Sequence, residues 1–410
     1  MILNHDSTDN TNRNNLFFRI SLFSAFAHFS LEAVSNFLPI LYPVMVNQKG
    51  LTFTQIGTIT LLATLGGTLP QPLFGIVANR FNPKKIILFS ILWCSLLYSL
   101  IGVINKYWLI LIIVTLGGIS SALFHPAGSL IAVGKDLKKR GTTMSIFSVG
   151  GNIGAAISPL LMSLILQSMG LRGTVLIAPI GVATIGFLVM ISLPSPDKSS
   201  IASSQTPSSF PESEHRKKED STAIGLVCIV AFSMSRSWYQ VSLTTYLLLW
   251  FQTQGLGSTA TILFVLLGTI PLGSLTGGIL SDKIGRLPIL LGAGIFLIPS
   301  HILILSLNVN TILWLIICFV GLIGFLLGMT YPVSIVTAHS AWPKNVAFAG
   351  ALVMGIGWLP GGIGASVLGF IADTNTLEKA LDSLTFILIA GVISILGYII
   401  NSKTKGRPLS

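Results

Sequence analysis

The 410-residue chain is 52% hydrophobic and only 9% charged, where an ordinary soluble domain carries roughly 25% charged residues. A soluble globule this apolar could not cover its own surface, and the mean hydropathy of +0.82 points to lipid as the solvent for most of the chain. The surplus of 24 Lys and Arg over 13 Asp and Glu suits either nucleic-acid binding or the cytoplasmic loops of a membrane protein, and placement decides between them.

The apolar stretch 17–44 is about twice the length of a signal-peptide core, which runs to roughly 7–15 residues, and it contains His28 and Glu32. It reads as a first span. Runs of roughly 20 mostly apolar residues mark membrane helices, and eleven more follow. The first six are 17–44, 55–78, 86–104, 108–133, 143–169 and 174–193. The second six are 223–250, 258–280, 289–307, 311–338, 346–371 and 384–400. The expected fold class is therefore all-α and integral to the membrane. A six-helix half occupies 1–193, a Ser-, Pro- and charge-rich linker 194–222, and a second half 223–410. The linker cannot bury a core and is expected to be disordered and cytoplasmic.

With the N-terminus inside, the cytoplasmic segments hold 19 of the 24 basic residues and the outer loops four: Lys49, Lys106, Arg172 and Lys379. Arg236 lies within a span. Such a split follows the positive-inside rule and accounts for the basic surplus without nucleic acid. Both termini are expected on the cytoplasmic side.

The two halves echo each other. Ala25-Phe26-Ala27 matches Ala231-Phe232-Ser233 at an offset of 206, and His125-Pro126 matches Tyr331-Pro332 at the same offset. Gly75 to Arg80 matches Gly278 to Lys283 at 203, and the run from Gly151 matches that from Gly361 at 210. Four matches in order at a nearly constant offset indicate a duplicated six-helix unit.

Of the 13 acids only Glu32 lies inside a span, and an intramembrane carboxylate is a functional candidate. The competing reading is a packing contact satisfied by neighbouring hydroxyls. His28 and Asn36 flank it at four-residue spacing on one helix face. His28 is either a proton-relay partner or an orienting side chain, and Asn36 continues the stripe as a candidate cavity liner. Arg236, in Ser235-Arg236-Ser237-Trp238-Tyr239 of span seven, suits a phosphonate or carboxylate of a ligand, or Glu32 itself. Snorkelling is the alternative. Trp238 and Tyr331 are further candidate ligand contacts. His125 precedes Pro126, which is expected to break the local helix ladder, so His125 either lines a cavity or partners the freed carbonyl. His301 and His339 carry weaker signals. Gly150, Gly151, Gly154, Gly361 and Gly364 permit close helix packing. Cys94, Cys228 and Cys318 lie alone in apolar runs, and no HExxH or CxxC spacing occurs. Neither a metal site nor a cofactor is expected.

Gly278-Ile-Leu-Ser-Asp-Lys-Ile-Gly-Arg286 resembles the inner-loop signature of the major facilitator superfamily. Its counterpart is Gly75, Asn79 and Arg80, and the second copy carries Asp282, Lys283 and Arg286. Ala27-His28 with Glu32, Leu51-Thr-Phe-Thr-Gln-Ile-Gly57, Phe124-His-Pro126, Ser145 to Asn152 and Gly364 to Asp373 are similar to the fosmidomycin-resistance family of bacterial efflux proteins. The resemblance covers nearly the whole chain. It implies two parallel six-helix repeats with a substrate site between them near the midplane, and proton-coupled export of small drugs across a bacterial inner membrane. The chain departs from the family pattern at Asn79, Ala127 and His339-Ser340, where acids are usual, and at Glu32, where Asp is usual.

The reading is a secondary transporter, a monomer that exchanges protons for small drugs or organic anions. Uptake of a small organic anion anchored by Arg236 is the alternative within transport, and a transport-dead sensor on the same scaffold is the alternative outside it. No catalytic cluster or nucleotide-binding loop is visible, so the chain is not expected to be an enzyme.

Overall fold

The computed structural model describes residues 5–133, 140–191, 223–255, 260–307 and 313–404. The linker 194–222 lies outside the described residues. Among those described there is no β-strand. The helices in chain order are α1 His5–Ser35, α2 Leu38–Lys49, α3 Phe53–Thr68, α4 Gln71–Arg80, α5 Pro83–Ser99, α6 Tyr107–Val133, α7 Arg140–Met169 and α8 Ile177–Met190. They continue as α9 Ala223–Thr253, α10 Ala260–Ile284, α11 Arg286–Ser306, α12 Leu313–Ala341, α13 Val346–Ala351, α14 Leu359–Thr374, α15 Leu377–Asp382 and α16 Leu384–Thr404.

Nine helical segments among the described residues are long and apolar enough to cross a membrane, and one of them, Thr142–Met190, covers expected spans five and six in 49 residues. The 17-residue α5 and the 31-residue α9 take the places of spans three and seven. Large apolar side chains such as Phe386, Leu275 and Met190 are exposed, as lipid-facing surfaces require.

Three expected spans are interrupted, each at a proline. Span one breaks after Ser35, because Pro39 has no N–H to donate to the Ser35 carbonyl and its ring crowds it. Span two breaks between Thr68 and Gln71, around Pro70 and Pro72. Span eleven passes from α13 into a π-helical turn, Leu352–Ile356, then through Gly357 and Trp358 into α14, whose first turn holds Pro360. Conversely, Pro126 does not end span four: α6 runs through it without a break. The one hydrogen bond that Pro126 cannot donate is outweighed by the rest of the ladder in a 27-residue packed helix.

The chain divides into two compact units. One comprises Met1–Phe37, Leu69–Ser158 and Ile165–Glu212, the other Leu38–Thr68, Pro159–Leu164 and Ser213–Ser410. The dividing points include the two breaks in spans one and two.

In the first unit, small residues at four-residue spacing on α7 let it lie against α1. A Cβ at Gly150 would strike the backbone of Ala25, and one at Gly154 the backbone of Phe29. One turn further, Ser158 Oγ donates to the Ala33 carbonyl at 2.7 Å. The second unit repeats this between spans seven and eleven. Ser233 and Ser237 of α9 donate to the carbonyls of Val353 and Gly357, at 3.3 and 2.6 Å. Gly361 lies against Val241 and Ser237, and Gly364 against the Trp238 ring. Without water to drive helices together in lipid, close backbone approach and such hydrogen bonds supply the packing. On α10 and α12, Gly273 and Gly277 face Phe325 and Met329, while Gly324 and Gly328 face Leu266 and Ile270.

Candidate functional site

In the first unit, α1 presents His28 and Glu32 one turn apart, with Asn36 just past the helix end. His28 Nε2 is 3.4 Å from Glu32 Oε1, and His125 Nε2, from α6, is 3.7 Å from the same oxygen. The Asn36 amide donates to Glu32 Oε2. His28 is packed between the Phe147 ring, stacked at 4.1 Å between centroids, and the edge of the His125 ring at 5.2 Å. Gly151 lies against the same imidazole, so any side chain there would displace it.

One hydrogen bond fixes the chemistry of the group. His28 Nδ1 lies 2.9 Å from the Phe147 carbonyl oxygen. A carbonyl only accepts, so Nδ1 carries a hydrogen, and a neutral His28 then turns the lone pair of Nε2 toward Glu32. Two acceptors would face each other at 3.4 Å unless a proton lies between them. The pair is satisfied either as carboxylic acid with imidazole or as carboxylate with imidazolium. A proton between the two groups would satisfy both. The side chains of Glu32 and His125 are 17% and 32% exposed, so His125 is the more open of the two. The three donor groups lie within 4.8 Å of one another and are of types that could also surround a metal ion. Sequence spacing does not reveal this set, because His125 comes from another helix.

In the second unit, Arg236 is 4% exposed in the middle of α9. Its Nη1 donates to Gln240 Oε1 at 2.7 Å, one turn along the same helix. The guanidinium carbon lies 4.8 Å from the Tyr331 ring centre and 4.9 Å from that of Trp358. Trp238 takes no part in this cluster: its ring packs over Gly364 and its indole N–H is buried without a partner. His125 sits beside Glu32, in the other unit from Tyr331.

The inner-loop residues occupy helix ends. Gly75 and Arg80 lie on α4, and Gly278, Asp282 and Lys283 on α10, with Asp282 exposed. The Asn79 side chain lies outside those described. Arg286 Nη1 donates to Ser340 Oγ. His301 is fully buried and paired at both nitrogens, with Tyr239 Oη at 3.2 Å and the Leu381 carbonyl at 3.0 Å. It is a structural histidine.

Sequence reasoning does not single out Phe147, Gln240, Trp358 or the role of Asp373. The Asp373 carboxylate accepts from the backbone N–H groups of Phe53 and Thr54 at 2.9 and 2.8 Å, across 320 residues of sequence. The Tyr246 hydroxyl lies 2.8 Å from the carbonyls of both Phe53 and Ala365. Gly57 and Gly369 face that hydroxyl as well. Thus 51–57 and 364–373, two stretches of the resemblance, meet as one junction between α3 and α14. A local signal for this junction, not read from the sequence, is the capping box Thr52-Phe53-Thr54-Gln55: Thr52 Oγ1 accepts from Gln55 N at 3.2 Å, and Gln55 Oε1 from Thr52 N at 3.0 Å.

Comparison with known proteins agrees with this architecture. The chain is 26% identical over 389 residues to the fosmidomycin resistance protein of Escherichia coli (strain K12), covering 90% of each. It is 27% identical over 383 residues to the uncharacterized MFS-type transporter YfnC of Bacillus subtilis (strain 168), covering 90% of this chain and 89% of the relative. Its fold is similar to that of the nucleoside transporter NupG, with a TM-score of 0.75 at 11% identity over 93% of this chain and 99% of that one. The pattern of the Major Facilitator Superfamily matches residues 21–365, and the protein is a multi-pass membrane transporter belonging to that superfamily, not an enzyme.

Proposed function

We propose that the protein is a proton-coupled exporter of small drugs or organic anions, working by alternating access in a bacterial cytoplasmic membrane with both termini inside. The observation that carries the reading is Glu32 held against His28 and His125 within the first unit. A coupled carrier needs a group that gains and loses a proton during its cycle. The shared proton between His28 and Glu32 is that group, with His125 as the neighbour through which it is exchanged. Asn36 holds the second carboxylate oxygen, so the carboxyl keeps its orientation in either state. Protonated, the set carries no bare negative charge into a closed, dry interior, which removes a desolvation cost. Deprotonated, it favours the state open to water. Arg236, with Tyr331, contributes to substrate recognition, and the inner-loop residues around Asp282 and Arg286 to switching.

The full-length similarity to a fosmidomycin resistance protein supports efflux as the direction. The test is expression in an efflux-deficient bacterium, measuring susceptibility to fosmidomycin and to a panel of amphiphilic drugs. A rise in tolerance to at least one compound, lost on dissipating the proton gradient, is the expected result. Greater sensitivity to an anionic compound, with faster accumulation inside the cells, would instead assign uptake.

A further inference from the structure

We propose that Arg236 is a two-point receptor for an oxyanion, a carboxylate or phosphonate borne by a molecule with an apolar or aromatic body. The proposal rests on the reading of the chain as a carrier of small molecules and names the chemical group that this carrier grips.

The donors of the guanidinium are unequally satisfied. Nη1 is occupied by Gln240 Oε1. Nε and Nη2 are buried and have no hydrogen-bond partner. These two N–H groups point from one edge of the planar group, and together they form the fork that takes both oxygens of a carboxylate or two oxygens of a phosphonate. Buried charged donors left unpaired are a large penalty, and structures keep such an arrangement where a ligand supplies the missing acceptor. Gln240, one turn along α9, fixes the direction of the fork by holding the opposite nitrogen.

The surroundings define the rest of the ligand. Tyr331 and Trp358 lie 4.8 and 4.9 Å from the guanidinium carbon. Their rings meet edge to face, 6.0 Å apart at 77°. The guanidinium carbon lies over both rings, which stabilises the cation, while Nε and Nη2 keep no hydrogen-bond partner. Trp358 sits between the π-helical turn Leu352–Ile356 and α14, and π-helical turns recur where a helix is reshaped for function. A ligand gripping the fork lays its carbon body against this aromatic corner. An ammonium at the same place could not offer two coplanar donors, so lysine is a poor substitute.

The experiment uses the full-length protein purified in detergent, with no gradient, and three probes of similar shape: benzoate, phenylphosphonate and benzamide. Binding is read by quenching of tryptophan fluorescence and by the shift of the thermal unfolding midpoint. Benzoate or phenylphosphonate is expected to bind saturably, and benzamide at least tenfold more weakly. Arg236→Lys should weaken the oxyanion at least tenfold and Arg236→Met should abolish its binding, while Trp358→Leu should weaken both oxyanions through loss of the aromatic wall. Lysine keeps the positive charge, so Arg236→Lys tests the fork even if Arg236→Met does not fold. Benzamide binding as tightly as benzoate, no saturable binding of either oxyanion, or unchanged affinity in Arg236→Lys would overturn the proposal. Oxyanion binding that obeys these rules in a protein that confers no drug tolerance would leave this site standing and refute export. Drug tolerance with unchanged Arg236→Lys affinity would do the reverse.

Discussion

Glu32→Gln is the sharpest perturbation of the proposed proton site, because glutamine is nearly isosteric with a protonated glutamate. The Gln amide nitrogen can donate to His28 Nε2, where a shared proton would lie, and its oxygen can accept from Asn36 as Glu32 Oε2 does. Packing and hydrogen bonding are kept, and unfolding stability should change by no more than about 1 kcal/mol, the net worth of one such hydrogen bond. What is lost is the exchangeable proton. On the proposed function the His28–Glu32 pair would carry one proton per cycle. Each unit of pH difference is worth about 1.36 kcal/mol per proton, so a gradient of about two units supplies about 2.7 kcal/mol and a ceiling of about 100-fold substrate accumulation. In proteoliposomes with an imposed gradient of that size, wild type should concentrate its substrate toward this ceiling. Glu32→Gln should only equilibrate it, while still exchanging labelled for unlabelled substrate across the membrane. Gradient-driven accumulation by Glu32→Gln equal to wild type would refute the assignment and move coupling to other groups.

Other outcomes follow from the packing and topology. Asp373→Ala removes the acceptor of two backbone N–H groups at the start of α3; helix N-cap losses of this kind cost about 0.5–2 kcal/mol, so the thermal midpoint should fall, with Asp373→Asn intermediate, and an unchanged midpoint for Asp373→Ala would show the junction contributes nothing. Gly154→Val places a branched side chain on the Phe29 backbone and should sharply reduce folded protein, whereas Gly75→Ala, with open space around it, should be tolerated. Expression and monodispersity measured side by side check the pair. If the positive-inside assignment holds, a cysteine at Gln254 in intact cells should react with an impermeant thiol reagent and one at Ser204 should not, and the opposite pattern would invert the topology.

The sequence by itself determined the solvent, the helical class and the duplication, because hydropathy and span length respond only to local composition. Glu32, His28 and Asn36 were legible together, since a helix places every fourth residue on one face. The breaks at Pro39, Pro70 and Pro360 were not expected, since those spans read as continuous, although each falls at a residue that cannot donate a backbone hydrogen bond. Proline alone does not decide a break: Pro126, in the packed α6, leaves the helix continuous. The rest needed tertiary structure, because it depends on which helices touch. Phe147 fixes the tautomer of His28 from 119 residues away. Trp358 reaches Arg236 only because α9 packs against span eleven through Ser237 and Gly357. Asp373 caps a helix 320 residues earlier in the chain. A charge inside a span announces that a partner is needed, but the partner's identity is set by the close approach of helices in space, which no local pattern encodes.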